Sequence, residues 1–326
     1  MVMAKVATIT QTGGPEVIGF RDVELPAPGP GEVLLRHTAI GINFIDTYHR
    51  RGIYPIELPS GLGVEAVGVV EQTGPGVSEF RPGDRVGCFG PDRGAYAGRR
   101  IQRADLLFPI PDDISDEVAA AALLKGCTVE FLVERCAKVE AGWPVLVHAA
   151  AGGVGLLLVQ WLKAAGATVI GTVGSAEKAK IAGDAGADHL ILYREEDTAK
   201  RVRELTGGAG VRVTYDGIGR ATWEQSLDST GLRGLIVSYG NADAPVAGVS
   251  LGVLATKGSL YNTRPMLYHY YQTPAERAAG AGRLWEMIRS GKLHISIGQS
   301  WPLAEAAEAH RALEARETIG SSLLIP

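Results

Sequence analysis

Between Val145 and Ser175 the chain reads VLVHAAAGGVGLLLVQWLKAAGATVIGTVGS, and no other stretch limits its possible folds as strongly. A β-prone run, a glycine turn, an amphipathic helix and a second β-prone run follow in the order of a βαβ unit, which requires parallel strands. Where the helix begins, unpaired N–H groups and the helix dipole converge on one point and favour an anion such as a pyrophosphate. Gly152, Gly153 and Gly155 stand where backbone must approach phosphate or pack against the strand, and Ala151 and Val154 complete the candidate loop. Two features of the usual G-x-G-x-x-G fingerprint are missing: its first glycine is Ala150, and no carboxylate ends the second strand, where Val173, Gly174 and Ser175 stand. Such a carboxylate holds the ribose 2′-OH of NAD and repels a 2′-phosphate. This chain offers Ser175 and Lys178, and further on Tyr193 and Arg194, so the expected cofactor is NADPH. The rival reading of Lys178 is a solvated surface charge.

The alternation continues on both sides. Strand-like runs at 145–148, 168–172, 189–193, 211–216, 235–239 and 259–261 are separated by helical patterns at 154–165, 177–185, 199–205 and 221–227. Six such strands predict a doubly wound parallel sheet. Before it, KVATITQTGG, EVLLRHTAIGIN, VEAVGVVEQTG and GDRVGCFG are short β-prone runs punctuated by Pro and Gly, with NFIDTYHRRGIY as a short helix among them. SDEVAAAALLKGCTVEFLVERCAKV opens with a Ser N-cap and acidic first-turn residues and predicts one helix or two. Two more helical stretches follow Pro265, and the chain ends in the strand-like GSSLLIP. A terminal apolar strand needs a sheet to join, and the N-terminal β region is the obvious host. The expectation is therefore a nucleotide-binding domain, 126–264, inserted in a discontinuous β-rich domain, 1–125 and 265–326.

Composition narrows the function. The 326 residues are 46% hydrophobic and 21% charged, with a net charge of -4 and no basic, aromatic-interleaved patch, which argues against nucleic acid as a partner. Three cysteines without a C-x-x-C, and an N-terminus lacking an apolar leader segment, point to the cytoplasm. No run of apolar residues reaches the length of a membrane span.

The combination of GINFID with AAAGGVG, together with GGPEVI, LPSGLGVEAVGVV, FRPGDRV, GTVGSAEKA, SYGN, GSLYNTRP and GSSLLIP, resembles the zinc-free medium-chain dehydrogenases/reductases. Within them it is most similar to the NADPH:quinone oxidoreductases related to ζ-crystallin. The resemblance covers essentially the whole chain and implies a GroES-like catalytic domain around a Rossmann domain, with the site in the cleft between them. Zinc-dependent relatives bring a Cys and a Glu-flanked His to the metal; here those positions read Asn43 and Val64, neither a zinc ligand. The four-cysteine structural zinc lobe is absent, and the seven histidines show no ligand spacing, so no metal site is expected.

Without a Lewis acid to acidify an alcohol, an electron-poor acceptor such as a quinone is the fitting substrate for hydride transfer. The resemblance implies Asn43, Tyr48 and Tyr54 around the nicotinamide and acceptor, and Arg264 at the mouth of the substrate channel. It also implies Thr128, Tyr239, Asn241 and Arg316 as further cofactor contacts. For the tyrosines the rival is packing under a loop, and for Arg316 a cation complementing a helix terminus. Asp46 is expected to fix the local turn or a tyrosine, and Cys127 to pack. Reduction of an activated C=C bond, in an alkenal or enoyl thioester, is the nearest alternative activity. A crystallin-like structural or RNA-binding role is a more distant one. The edge strand in GSLYNTRP makes a homodimer the expected assembly.

A hydrogen bond to a charged group contributes roughly 1.5–3 kcal/mol, so one contact to the 2′-phosphate changes affinity by about one to two powers of ten. NADPH is expected to bind at least about tenfold more tightly than NADH, and Lys178→Ala to erode that preference by weakening NADPH alone. Raised salt should narrow the gap, because an exposed phosphate–ammonium pair is screened. Dissociation constants from nicotinamide fluorescence check this. Equal affinities in the wild type would show the missing carboxylate misread, and equal weakening in the variant would assign Lys178 to the fold.

Overall fold

The strand Pro144–Val147 sits inside a six-stranded sheet in the computed structural model, which describes residues 2–326. Its neighbours are Thr168–Val173 on one side and Val211–Asp216 on the other; His189–Leu192 lies beyond the former, Thr230–Ser238 and then Tyr261–Thr263 beyond the latter. Every adjacent pair is parallel. Numbered along the chain the order is 3-2-1-4-5-6, that of the Rossmann fold. Val145, Leu146 and Val147 are fully buried, as a strand covered on both faces requires.

Helices run between these strands at Gly153–Ala164, Ala176–Asp184, Thr198–Leu205 and Trp223–Ser229, each within two residues of its expected start. Ser175 Oγ accepts the Lys178 N–H at 3.3 Å and Asp197 Oδ1 the Lys200 N–H at 2.9 Å, so both of these helices begin on a side-chain cap. Two strand starts differ from expectation by two residues or more. The fifth strand starts at Thr230, five residues early. The edge strand starts late, at Tyr261, after Gly258 (φ 126°) and Ser259 (φ 52°) turn the chain through left-handed backbone.

Ala150 in place of the first fingerprint glycine is accommodated from the next strand. A Cβ built on Gly171 would meet the Ala150 Cβ at 2.7 Å. The methyl that the turn carries occupies the space that the strand leaves open.

The chain divides into two units: Met1–Lys125 with Tyr271–Trp285 and Ile295–Pro326, and Gly126–Tyr270 with Glu286–His294. The parallel sheet belongs to the second. In the first, Glu32–Ile42 pairs antiparallel with Glu65–Thr73, with Arg99–Arg103 and with the C-terminal strand Ser321–Ile325. Arg85–Phe89 and Leu107–Pro109 extend this sheet on one side, and Ile297–Pro302 on the other. The last residues of the chain thus close the sheet begun by the first hundred. Val2–Ile9, Gly19–Leu25 and Ser60–Gly61 form a smaller sheet. The strands at Gly19–Leu25, Arg99–Arg103 and Leu107–Pro109 carry too little apolar alternation to be read from sequence.

The helix Asp116–Glu130 starts where Ser115 Oγ accepts the Val118 N–H at 3.2 Å. It continues directly as a π-helix, Phe131–Ala137, that stops at Lys138 with φ 49°. Phe131 stacks on Tyr270 at 4.4 Å between centroids, and Arg135 Nη1 donates to the Tyr270 carbonyl at 2.7 Å.

Candidate active site

At the start of the helix Gly153–Ala164 the first-turn N–H groups have no intrahelical partner, since the Leu156 N–H is the one that reaches the Gly152 carbonyl, at 2.8 Å. Residues Ala150–Gly153 ahead of it carry at most a methyl, so nothing but backbone faces an incoming anion. Ala149, at φ 53°, turns the chain off the strand, and a Cβ on Gly155 would strike its carbonyl oxygen at 2.2 Å, which is why the third fingerprint position admits only glycine. At the end of the next strand, the Tyr193 hydroxyl lies so near Gly174 that a Cβ there would meet it at 2.8 Å. Gly174, Ser175, Lys178 and Tyr193 are therefore gathered at one place. Ser175 accepts its capping bond and keeps its own proton to donate. This cradle fits a dinucleotide phosphate ester.

The loop after the fourth strand is held by Asp216, whose carboxylate accepts from the Ile218 and Gly219 N–H groups, from Thr222 Oγ1 and from Ser226 Oγ at 2.7–3.0 Å. His148, buried beside it, has Nε2 at 3.1 Å from Ser226 Oγ and Nδ1 at 3.2 Å from Thr172 Oγ1. It is a satisfied core histidine, and burial lowers its pKa.

In the first unit the structure brings Asn43, Tyr48 and Tyr54 together. Asn43 precedes the helix Phe44–Arg51 as its N-cap, Tyr48 is buried on that helix, and Tyr54 packs edge-on against Tyr48 with centroids 5.3 Å apart. The Asn43 N–H donates to Asp46 Oδ2 at 2.9 Å, and its amide Nδ2 donates to Glu65 Oε2 at 2.8 Å. Glu65 Oε1 accepts the Leu124 N–H at 2.6 Å, and Lys125 Nζ stands 3.9 Å from Oε2. Asp46 Oδ2 also accepts the Tyr96 hydroxyl at 3.0 Å, so Asp46 fixes both a turn and a tyrosine.

His310 Nε2 lies 3.0 Å from the same Tyr96 oxygen. The tyrosine proton is already directed to Asp46, so His310 donates through Nε2–H, which assigns its tautomer. Burial, and behind it Arg50, lowers His310 to about 3 and keeps the ring neutral. Asp46 is pushed up to about 7 by burial, against the pull of the bonds from Asn43 and Tyr96. Burial also raises Glu65, opposed by Lys125, and lowers Lys125, opposed by Glu65.

The remaining expected residues are dispersed between the units. Thr128 is half-buried on the helix Asp116–Glu130, and Cys127 before it is fully buried. Tyr239 and the buried Asn241 follow the fifth strand, where a Cβ on Gly217 would meet the Tyr239 ring at 2.8 Å. Arg264 is exposed just past the edge strand of the second unit. Arg316 is exposed in the first, past the helix Ala306–Glu314, in a left-handed conformation at φ 62°. Sequence reasoning missed Tyr96, Lys125 and His310. A signal existed for Lys125 alone, as the single cation in the apolar run AAAALLKGCTV.

Residues 29–112 match the alcohol dehydrogenase GroES-like domain family, and residues 153–273 match the zinc-binding dehydrogenase family. The chain is 49% identical over 325 residues to a quinone oxidoreductase of Pseudomonas aeruginosa, covering 99% of this chain and 100% of that one. It superposes with a TM-score of 0.97, at 47% identity, on the crystal structure of Escherichia coli quinone oxidoreductase complexed with NADPH, covering 99% and 100% of the two chains. It is also 46% identical to a 2-haloacrylate reductase from Burkholderia, over 100% of this chain and 99% of that one. The zinc implied by the second family's name does not fit the residues present. Asn43 spends its amide on Glu65, Val64 is a buried hydrocarbon, and among the described residues no group of three or more His, Cys, Asp or Glu can hold a metal.

Because Asp46 has an ordinary value of 3.8 and is raised to about 7, the folded chain keeps a proton that the unfolded chain releases across that interval. This contribution to stability is complete below 3.8 and is lost as pH rises to about 7, with a slope of up to about 1.4 kcal/mol per pH unit. Asp46→Asn, which cannot titrate, should lose that component. Urea unfolding of both proteins from about pH 4 to 8 is expected to give curves that converge or cross below pH 7 and run parallel above it. Parallel curves throughout would mean that Asp46 is an ordinary carboxylate.

Proposed function

We infer that this chain, which belongs to the quinone oxidoreductase family of the medium-chain dehydrogenases/reductases, is an NADPH-dependent quinone oxidoreductase. The observation that carries the reading is end-to-end likeness at about half identity, joined to a phosphate cradle that lacks the carboxylate of NAD-specific sites. In this reading residues 126–264 form the body of the cofactor domain, with 265–270 and 286–294 joined to it in the same compact unit, and the rest of the chain forms the catalytic domain. NADPH, when bound, supplies a hydride.

The N–H groups at residues 151–155 receive the pyrophosphate, and Gly174, Ser175, Lys178 and Tyr193 receive the 2′-phosphate. Thr128, Tyr239, Asn241 and Arg316 complete the cofactor contacts. Tyr48 and Tyr54, set edge to face, offer ring surface for a planar quinone and a phenol to bond its oxygen. Asn43 caps the helix that carries Tyr48, and Arg264 is the further acceptor-side residue of this reading. Orientation of the acceptor and exclusion of water supply most of the catalysis.

The second reading, reduction of an activated C=C bond, is favoured by the 46% identity to a 2-haloacrylate reductase. Dependence on NADPH, an intracellular reductant, supports a cytoplasmic location; no helix among the described residues is long and apolar enough to cross a membrane. The edge strand Tyr261–Thr263 presents unpaired backbone beside exposed Tyr261, Met266 and, in the neighbouring strand, Leu232, which supports a homodimer.

NADPH oxidation with benzoquinone, naphthoquinone, a 2-haloacrylate and crotonyl-CoA should give the highest kcat/KM for a quinone, unchanged by exhaustive chelation. A dominant 2-haloacrylate rate would favour the second reading, and a chelated enzyme revived by zinc would overturn the metal-free site. Tyr54→Ala should lower quinone kcat/KM about tenfold with NADPH affinity unchanged; no change would assign Tyr54 to packing. Light scattering is expected to return twice the chain mass, and a monomer would refute the edge pairing.

A further inference from the structure

The helix Asp116–Glu130 buries its lysine. Lys125 is 5% exposed, and its Nζ has no hydrogen-bond partner among the described residues. It points at Glu65, whose side chain is entirely removed from solvent. The Leu124 N–H, one residue earlier, bonds the other oxygen of the same carboxylate, so one turn of helix supplies both a donor and a counter-charge. Glu65 follows Val64, and Asn43 bonds Glu65. Two buried acids lie there, Asp46 and Glu65, and Lys125 is the buried cation beside them.

We propose that Lys125 is a positioning residue of the acceptor site, which acts through Glu65 to fix the carboxamide of Asn43. An ionised carboxylate only accepts hydrogen bonds, so Glu65 can face Asn43 only through the NH₂ of the amide. A buried carboxylate without a counter-charge takes up a proton. Glu65 then becomes a donor through one oxygen, and the Asn43 amide can turn its carbonyl inward at the loss of its 3.4 Å bond to the Gly41 carbonyl. The ammonium thus sets which end of Asn43 the acceptor meets. The groups facing Glu65 are Lys125 and Asp46, with Tyr96 next to Asp46 and Arg50 and His310 behind that pair.

The inference rests on the reading of Asn43 as an acceptor-side residue in a quinone reductase. Its test is the pH profile of kcat and KM for benzoquinone in the wild type, Lys125→Met, Glu65→Gln and the double variant. Each profile is divided by that of the wild type and is repeated in an Asp46→Asn background, because Lys125 and Glu65 both act on the titration of Asp46. Lys125→Met is expected to lose about tenfold in kcat at low pH and to recover as pH rises and Glu65 ionises, with the NADPH dissociation constant unchanged. Glu65→Gln should lose about tenfold at every pH, because its amide must give its oxygen to Leu124 and oppose Asn43 with NH₂. The double variant should match Glu65→Gln and show no pH limb. A flat ratio for Lys125→Met, or additive losses in the double variant, overturns the inference. Should Lys125→Met fail to fold, Lys125→Arg (flat ratio expected) against Lys125→Gln (pH limb expected) reads the same contrast. A wild type that turns over no quinone would sink the assignment of function, whereas an active wild type with a flat Lys125→Met ratio sinks this inference alone.

Discussion

Arg50 is fully enclosed by the β-rich unit and closes on both oxygens of Glu314 at 2.6 and 2.7 Å, joining two helices 264 residues apart in the chain. Beside it, His310, Tyr96 and Asp46 pass hydrogen bonds in a line. Charges held out of water are costly unless every partner is in place, and removal of one partner from such a pair typically costs about 3–5 kcal/mol. The helix Phe44–Arg51 is therefore fixed at both ends, by Asp46 near its start and Arg50 near its finish. That helix carries Asn43 as its cap and Tyr48 on its body, and Tyr54 follows it directly. The placement of Asn43, Tyr48 and Tyr54, the residues proposed to face the acceptor, is thus tied to this buried electrostatic frame.

The same frame explains how a site related to metal enzymes keeps its shape without metal ligands. The Asn43 amide hydrogen-bonds laterally to Glu65, and Val64 is buried hydrocarbon, so neither offers a metal a ligand. Hydrophobic filling and a neutral amide remove the coordination sphere while the acids around it persist. In the proposed reading the second unit meets a different demand, a polyanion, with backbone amides and one helix terminus rather than with a cluster of cations.

The parallel sheet was legible because its signals are local: β-branched runs, glycine turns and helical periodicity recur every 20 residues or so, and the strand Val211–Asp216 was read at its true limits. Ends that depend on a left-handed turn, as at Ser259, were not. The glycine turn ahead of the helix Gly153–Ala164 was legible for the same local reason. Asn43, Tyr48 and Tyr54 came through family resemblance, and no periodicity in the sequence groups them. Contacts such as Tyr96 with His310, 214 residues apart, leave no trace in either partner's neighbourhood. Lys125 is the instructive omission, since a charge inside an apolar helix is visible in the sequence and demands a buried counter-ion.

Ala150 and Gly171 show that a fingerprint can be kept as a volume while it is lost as a letter. The strand and the turn share one methyl-sized space, and either can hold it, but not both. Sequence change at this spot therefore has a permitted order. A side chain can enter position 171 only after position 150 has given up its own, and any path that reverses those steps passes through an overfilled intermediate. Two positions 21 residues apart in the sequence are thus steps of a single exchange of one methyl-sized volume.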